Sequence, residues 1–186
     1  FEMTMQKSLL EPLGMAHSSY LRDEIDQALL ASPHVEDDDG NVLVADVVPY
    51  SRQFAAANNL HVNVEDMARL MQASLNMGEL DGTRILPAQY YDEMWADLYE
   101  TPFGGFIMGQ LYPTDMFPKT GVGWVITELG GYPIVHSYGG ERGYQSDMML
   151  CPDMGVGVVA MGNGAAGGAF FAPESAIDVL GMVINQ

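Results

Sequence analysis

Nine consecutive residues, His136-Ser137-Tyr138-Gly139-Gly140-Glu141-Arg142-Gly143-Tyr144, gather more chemical capacity than any other stretch of the sequence. An imidazole such as that of His136 suits the work of an acid, a base or a charged hydrogen-bond donor. The glycines let the backbone approach a ligand closely and leave amide N–H groups free to donate. Donors of that kind stabilise an oxyanion. Arg142 is the only basic side chain of the stretch besides His136 and would suit a substrate carboxylate; the plainer reading is a solvated surface arginine. The plainer reading of the whole stretch is a glycine-rich hairpin with a satisfied histidine.

The elements that must position this stretch are legible on both sides of it. From Gly121 onward, glycine and β-branched residues rise and segments shorten. Gly123 to Thr127, Pro133 to Ser137, Tyr144 to Leu150 and Gly155 to Met161 read as four strands. The glycine stretch lies at the end of one strand and before the next. Gly130-Gly131 and Pro152-Asp153 make short turns, so neighbouring strands run antiparallel. A helix from Pro173 to Ile184 places Ile177, Leu180 and Ile184 against one face of the sheet. The Gly-Ala run from Gly162 to Ala169 reads as a loop.

Upstream the pattern is helical. Met3 to Glu11 forms a first helix with Met5, Leu9 and Leu10 on one face, ended by Pro12 and Gly14. A longer helix runs from Asn63 to Met77, with Asn63 as N-cap and Glu65 and Asp66 at its positive end. Val64, Met67, Ala68, Met71 and Leu75 make its apolar stripe, with Leu70 beside it, and Gly78 stops it. A third starts at Pro87 and reaches about Leu98, burying Met94, Trp95 and Leu98. Between the first two, an acidic turn from Glu36 to Asn41 precedes a short strand, Val42 to Val44. A calcium loop is the alternative there, but the alternating ligand spacing and terminal Glu are missing. The fold class is α+β: an antiparallel sheet of about four strands packed by a C-terminal helix, plus an N-terminal helical region. Residues 1–120 would form part of the helical region and 121–186 the strands and last helix.

Composition excludes several classes of function. The chain has 186 residues, 48% hydrophobic and 17% charged, enough for a real core and too apolar for a disordered segment. No apolar run approaches the roughly 18 residues of a spanning helix. No basic segment leads into an apolar one, so no signal peptide is seen; the start at Phe1 suits a processed, trimmed or partial chain. Lys plus Arg number 7 against 25 for Asp plus Glu, a net charge of −18. Nucleic acid is thereby excluded as a partner, and anionic membrane surfaces are disfavoured. The charge reads as solubility by repulsion, or more sharply as adaptation to salty surroundings. Cys151 is the single cysteine, in an apolar context, which rules out an intrachain disulfide. His17, His34, His61 and His136 show no metal-binding spacing, so neither a metal nor another cofactor is expected.

Several stretches, in order, carry a family resemblance. Leu10-Glu11-Pro12-Leu13-Gly14-Met15 resembles a "PLGM" turn. Glu65-Asp66-Met67-Ala68-Arg69, then Leu75-Asn76-Met77-Gly78-Glu79-Leu80-Asp81-Gly82, resembles "DMARF…LNGGELDG". Gly121-Val122-Gly123-Trp124 resembles a "GxGW" strand. The glycine stretch resembles "H-x-G-G-x-x-G-F/Y", and Gly155-Val156-Gly157-Val158-Val159 with Asn163 fits the strand after it. Together, from about residue 5 to 163, these are similar to the serine β-lactamase family, in its class C and penicillin-binding-protein-like branch. That branch includes D-alanyl-D-alanine carboxypeptidase-like proteins and esterases.

The resemblance implies an activated serine that attacks a carbonyl and an acyl-enzyme that water resolves. The nucleophile would come from Ser-x-x-Lys and the base from Tyr-x-Asn, both upstream of the stretches above. This chain holds neither motif: Thr4-x-x-Lys7 lies in the helix before the "PLGM" turn, and Ser74-x-Asn76 lies inside the "DMAR" helix. The chain is therefore expected to be the C-terminal portion of a serine hydrolase of amides or esters, an incomplete fold that is inactive alone. By resemblance His136 takes the place of the lysine, and Ser137 that of the threonine, in the Lys-Thr-Gly triplet of true β-lactamases. His in place of Lys leans towards the esterase or peptidase-like relatives. An oxyanion amide would come from Gly139 or Gly140, with Tyr138 and Arg142 against the substrate. Tyr138 is one residue more than the usual spacing. Ala57-Asn58-Asn59-Leu60 stands where relatives often have Ala-Gly-Gly-Leu, and Asn tolerates the left-handed backbone such a turn uses. The implied partners are a small amide or ester and a missing N-terminal segment or second subunit that covers the open sheet edge. The implied compartment is the periplasm or cell surface. A non-catalytic module that binds peptides or cell-wall fragments, and an inactive truncation, are the alternatives.

Overall fold

A computed structural model of the protein describes residues 1–100, 119–165 and 171–185. In chain order, α1 spans Glu2–Met5 and runs on as a wider π-turn, Gln6–Leu10; β1 (His34–Glu36) and β2 (Val42–Val44) form a hairpin. Then come α2 (Ala55–Asn58), α3 (Val64–Leu75), the small hairpin β3 (Glu79–Leu80) and β4 (Thr83–Arg84), and α4 (Ala88–Met94). The strands β5 (Tyr99–Glu100), β6 (Lys119–Thr120), β7 (Val125–Leu129), β8 (Tyr132–Glu141), β9 (Tyr144–Cys151), β10 (Val156–Gly162) and β11 (Gly164–Ala165) follow, and α5 (Phe171–Ile184) closes the chain.

The main sheet has the order β10-β9-β8-β7-β6-β5, antiparallel throughout. Its four long strands are those expected from sequence; the two-residue strands β5 and β6 extend it to six. A second sheet has the order β11-β1-β2, in which β1 runs parallel to β11. The expected Gly-Ala loop starts with β11 instead, and its residues 166–169 lie outside the described residues.

Side chains alternate between the two faces of a strand, and the long strands use both. On one face, Ile134, Met149 and Cys151 are buried against Ala176 and Leu180 of α5, joined by Val156, Val158, Ile177 and Ile184. On the other, Val135, Met148 and Leu150 meet Leu70, Met71 and Leu75 of α3 together with Trp95 and Trp124. Leu70 also touches a third cluster, where Leu10, Leu13, Met15, Ala73 and Leu80 are buried. So α3 is sandwiched between the sheet and the N-terminal turns. That double contact explains a difference from the expected stripe: Ala73 and Ser74 are buried while Val64 is exposed. Each fully buried Leu or Met contributes about 1.5–3 kcal/mol.

Polar contacts tie the "PLGM" turn to the "DMAR" helix. Asn63 caps α3 by accepting from the Asp66 amide at 2.8 Å. The buried Asp66 carboxylate accepts from the His17 amide at 2.8 Å and from Ser18 Oγ at 2.7 Å. Arg69 donates to the Leu13 carbonyl and, through Nη2, to Asp81 at 2.9 Å. A buried carboxylate is tolerated because its lone pairs are occupied in this way. In this chain the two motifs therefore satisfy one another's polar groups.

Further differences have local causes. β7 starts two residues later than expected, after Gly123 at φ +76°. α4 ends at Met94, which leaves Leu98 46% exposed, and Tyr91 takes the buried position at 3%. Asn58 lies within α2 and Asn59 has φ −109°, so that turn uses no left-handed residue. Among the described residues, the left-handed non-glycine residues are Met77 at φ +52° and Asp81 at φ +51°. Met77 stands where the resembling pattern has glycine. A left-handed non-glycine residue costs about 1–2 kcal/mol, partly offset by the extra freedom glycine has when unfolded. Met77→Gly is expected to raise stability by about 0.5–1 kcal/mol, read as a higher denaturant midpoint; a lower midpoint would refute this account of the turn.

Candidate active-site wall

The glycine stretch is mostly strand, where sequence placed a loop. β8 runs on to Glu141, β9 starts at Tyr144, and only Arg142-Gly143 turns between them. The register is unbroken from Val135↔Leu150 to Glu141↔Tyr144. Alternation then divides the stretch. His136, Tyr138 and Gly140 share the α5 face with Ile134, while Ser137, Gly139 and Glu141 share the α3 face with Val135.

That division decides what the residues can do together. His136 is 1% exposed and sits beside Asp147, Nδ1 to Oδ1 at 3.5 Å. Ser137 and Gly139 are half-buried on the opposite face, and a Cβ on Gly139 would lie 3.0 Å from Ser146 Oγ. Side chains on opposite faces of one strand cannot hydrogen-bond, so His136 is no base for Ser137. The Tyr138 hydroxyl folds back over Gly140, where a Cβ would lie 2.7 Å from it. Burial, and then the charge of Asp147, push the Tyr138 phenol above its ordinary pKa. Arg142 is exposed at the turn, where its amide donates to Glu141 Oε1 at 2.9 Å. The structure thus brings Ser137, Gly139 and Ser146 together on one face, and His136 and Asp147 on the other. Asp147 carried no signal in sequence, because its partner lies across a hairpin.

The far half of β8 has one neighbour. The first residue of β7, Val125, pairs with His136. From Ser137 to Glu141 the strand pairs only with β9 among the described residues. A strand edge of this kind offers backbone donors and acceptors to an extended ligand, and small residues at 139 and 140 let it come close.

The hairpin tip is held from outside the sheet. The His34 amide donates to the Asn163 carbonyl at 3.0 Å and the Gly143 carbonyl at 3.4 Å. Tyr144 donates its hydroxyl proton to the Ala31 carbonyl at 2.7 Å, and Asn163 Nδ2 donates to the Ser32 carbonyl at 2.9 Å. Asn58 Nδ2 donates to Glu141 Oε2 at 2.9 Å. Gly143 is forced by both backbone and space: its φ is +82°, and a Cβ would stand 2.5 Å from Pro33 Cβ and 2.8 Å from the His34 nitrogen.

Other candidate groups fall away from this wall. Thr4 and Lys7 are exposed on the first helix. Ser74 is buried and donates to the Leu70 carbonyl at 2.9 Å. Cys151 is fully buried, and burial pushes its thiol upward in pKa. The Asp37 carboxylate accepts from the Asp39 and Asn41 amides at 3.0 and 2.8 Å, so it closes its own turn. Among the described residues, no three His, Cys, Asp or Glu side chains gather to hold a metal ion.

An antiparallel sheet with helices on both faces and a singly paired half-strand at its margin is an α+β fold of the β-lactamase type. The β-lactamase family model matches residues 1–180, and the chain belongs to that family. Among solved structures, it is similar to the octameric penicillin-binding protein homologue from Pyrococcus abyssi, at 21% identity and a TM-score of 0.78, over 100% of this chain and 38% of that one. It is also similar to the D-amino acid amidase from Ochrobactrum anthropi SV3 complexed with L-phenylalanine amide (17%, TM-score 0.71, 99% and 50%). A third likeness is to the D-stereospecific amidohydrolase from Streptomyces sp. (18%, TM-score 0.68, 96% and 46%). The chain thus spans half or less of the length of these proteins. A search of the curated proteins finds no match.

Two glycine substitutions test how the tip is held. Gly143→Ala is expected to cost about 2–4 kcal/mol, combining left-handed strain with a backbone collision. Gly155→Ala, with φ +65° but open space around it, is expected to cost only the strain, about 1–2 kcal/mol. Equal losses in chemical denaturation would mean that Pro33 and His34 do not press on the tip.

Proposed function

We propose that this chain forms the C-terminal part of a serine hydrolase that cleaves an amide or ester through an acyl-enzyme. The nucleophile and base belong to a Ser-x-x-Lys and a Tyr-x-Asn that these 186 residues do not contain. The chain supplies a wall of the pocket. The observation that carries this reading is the half-strand Ser137–Glu141, small at its centre and unpaired along one edge among the described residues. An extended substrate would lie along that edge, with its reacting carbonyl near Ser137 and Gly139 and an amide of residues 137–140 donating to the developing oxyanion. Arg142, exposed at the tip, would meet a substrate carboxylate. His136 and Tyr138 lie behind the wall, on the α5 face. Structural likeness to amidases and penicillin-binding proteins supports the reaction class and leaves the substrate open.

The same reading carries export to the periplasm or cell surface. Among the described residues no helix is long and apolar enough to cross a membrane. A second reading is a binding module for peptides or cell-wall fragments, which the singly paired edge of β8 would hold in extended form.

A hydrolysis assay on the product of the full coding sequence, run beside the 186-residue chain, separates the two. The full product is expected to turn over a chromogenic ester or a D-amino acid amide and to gain the mass of an acyl group. The present chain alone is expected to do neither. In the full product, Ser137→Asp is expected to lower kcat/KM by about tenfold or more, through a charge set beside the oxyanion. Turnover by the chain alone would overturn the placement of the nucleophile elsewhere. A full product that binds cell-wall fragments without turnover would establish the binding module.

A further inference from the structure

His136 and Asp147 form a buried ionisable pair that the proposed hydrolysis does not use. Their side chains are 1% and 0% exposed, with Nδ1 and Oδ1 3.5 Å apart. Both ring nitrogens of His136 and both carboxylate oxygens of Asp147 lack any hydrogen-bond partner. Buried polar groups are rarely left in that state, and a buried charge is costly unless another charge compensates it. Among the described residues, neither side chain forms an ion pair with a third group. On β8 the neighbour on the same face is Tyr138, a phenol. On β7 the residue opposite His136 is Val125, and on β10 the residue opposite Asp147 is Ala160. α5 turns Ala172, Ala176 and Leu180 inward and keeps Glu174 and Asp178 exposed.

The position of the pair is as telling as its isolation. His136 is the last residue of β8 that is paired on both sides. Asp147 lies opposite Tyr138, two residues into the half of β8 that β9 alone holds. The pair therefore runs diagonally from the doubly held part of the hairpin to the singly held part.

We propose that His136 and Asp147 are positioning residues, a one-proton clasp that fixes the free half of β8 against β9 and so gives the Ser137–Gly139 wall its shape. With one dissociable proton between them the pair is neutral as a whole, either as imidazolium with carboxylate or as imidazole with carboxylic acid. A second proton leaves a buried positive charge, and loss of the one proton leaves a buried negative charge. Either charge loosens the clasp, so the wall is ordered within a pH window closed at both ends. The wall's part in hydrolysis rests on the proposed function; the clasp itself does not.

The test is unfolding of the chain across pH 4 to 9, together with hydrogen exchange at the amides of Ser137 to Glu141. His136→Leu leaves a lone buried carboxylate. Its folded state holds a proton more firmly than the unfolded state, so stability should fall as pH rises. Asp147→Val leaves a lone buried imidazole, so stability should fall as pH falls. Each single variant should lose about a hundredfold or more in the folded-to-unfolded ratio at its unfavourable end. The double variant should recover that loss and show a flatter pH profile than the unsubstituted chain. In the unsubstituted chain, exchange at 137–141, corrected for intrinsic rates, should quicken at both ends while 132–136 stays protected. A double variant with the original profile, or exchange at 137–141 indifferent to pH, overturns the clasp. If the double variant does not fold, exchange in the unsubstituted chain decides. These readouts need no substrate, so failure of the clasp is distinct from failure of the hydrolase reading.

Discussion

The β8–β9 hairpin is clad on both faces, and the rest of the fold is arranged to keep it so. One face takes α5 through Ala176 and Leu180; the other takes α3 through Leu70, Met71 and Leu75. Strand alternation then leaves no freedom about where each side chain goes. A shift of one residue would drive His136, Asp147 and Met149 into the α3 face and turn Val135, Met148 and Leu150 towards α5. The register of one hairpin thus fixes both cores and both sides of the candidate wall.

Much of this was legible in sequence because it depends on local pattern. Asn63 caps its helix, Pro and Gly stop the first one, and three of the four long strands, β7, β8 and β10, hold β-branched residues. What escaped was set by distant partners. His136 and Ser137 are adjacent in sequence and look like one catalytic unit, yet a period of two sends them to opposite faces. The glycines that suggested a loop are spaced within a strand, where register with Ser146 and Gln145 holds them. Tyr91 was missed and Leu98 misplaced because the helix ends four residues earlier than its apolar pattern suggested. Val64 fell on the stripe but has no surface to meet. The resemblance to a family supplied the order of motifs, and the Asp66 and Arg69 contacts show how two of them are joined in this fold.

Electrostatics at the surface plays a smaller part than the charge count suggests. Arg69–Asp81, Arg84–Glu79 and Lys119–Asp97 are all solvent-facing pairs, and such pairs contribute little each. With 25 acidic side chains against 7 basic ones, the fold relies on its apolar clusters and on a few buried polar contacts. Polar contacts between distant segments gather at two seams, a largely buried one between the "PLGM" turn and α3 and a solvent-facing one between the hairpin tip and residues 31–34.

The second seam is closed by parallel pairing of β1 with β11, and His34 meets Asn163 across 129 residues of chain. Contacts of such sequence separation form only after intervening segments have collapsed, since a long loop must be closed before any contact rewards it. On the ribosome, residues 34–36 emerge long before their partner exists. The β1–β2 hairpin therefore has no β11 to pair with until every strand of the main sheet has been made, and the fastening of the wall carries the entropy of closing a very long loop.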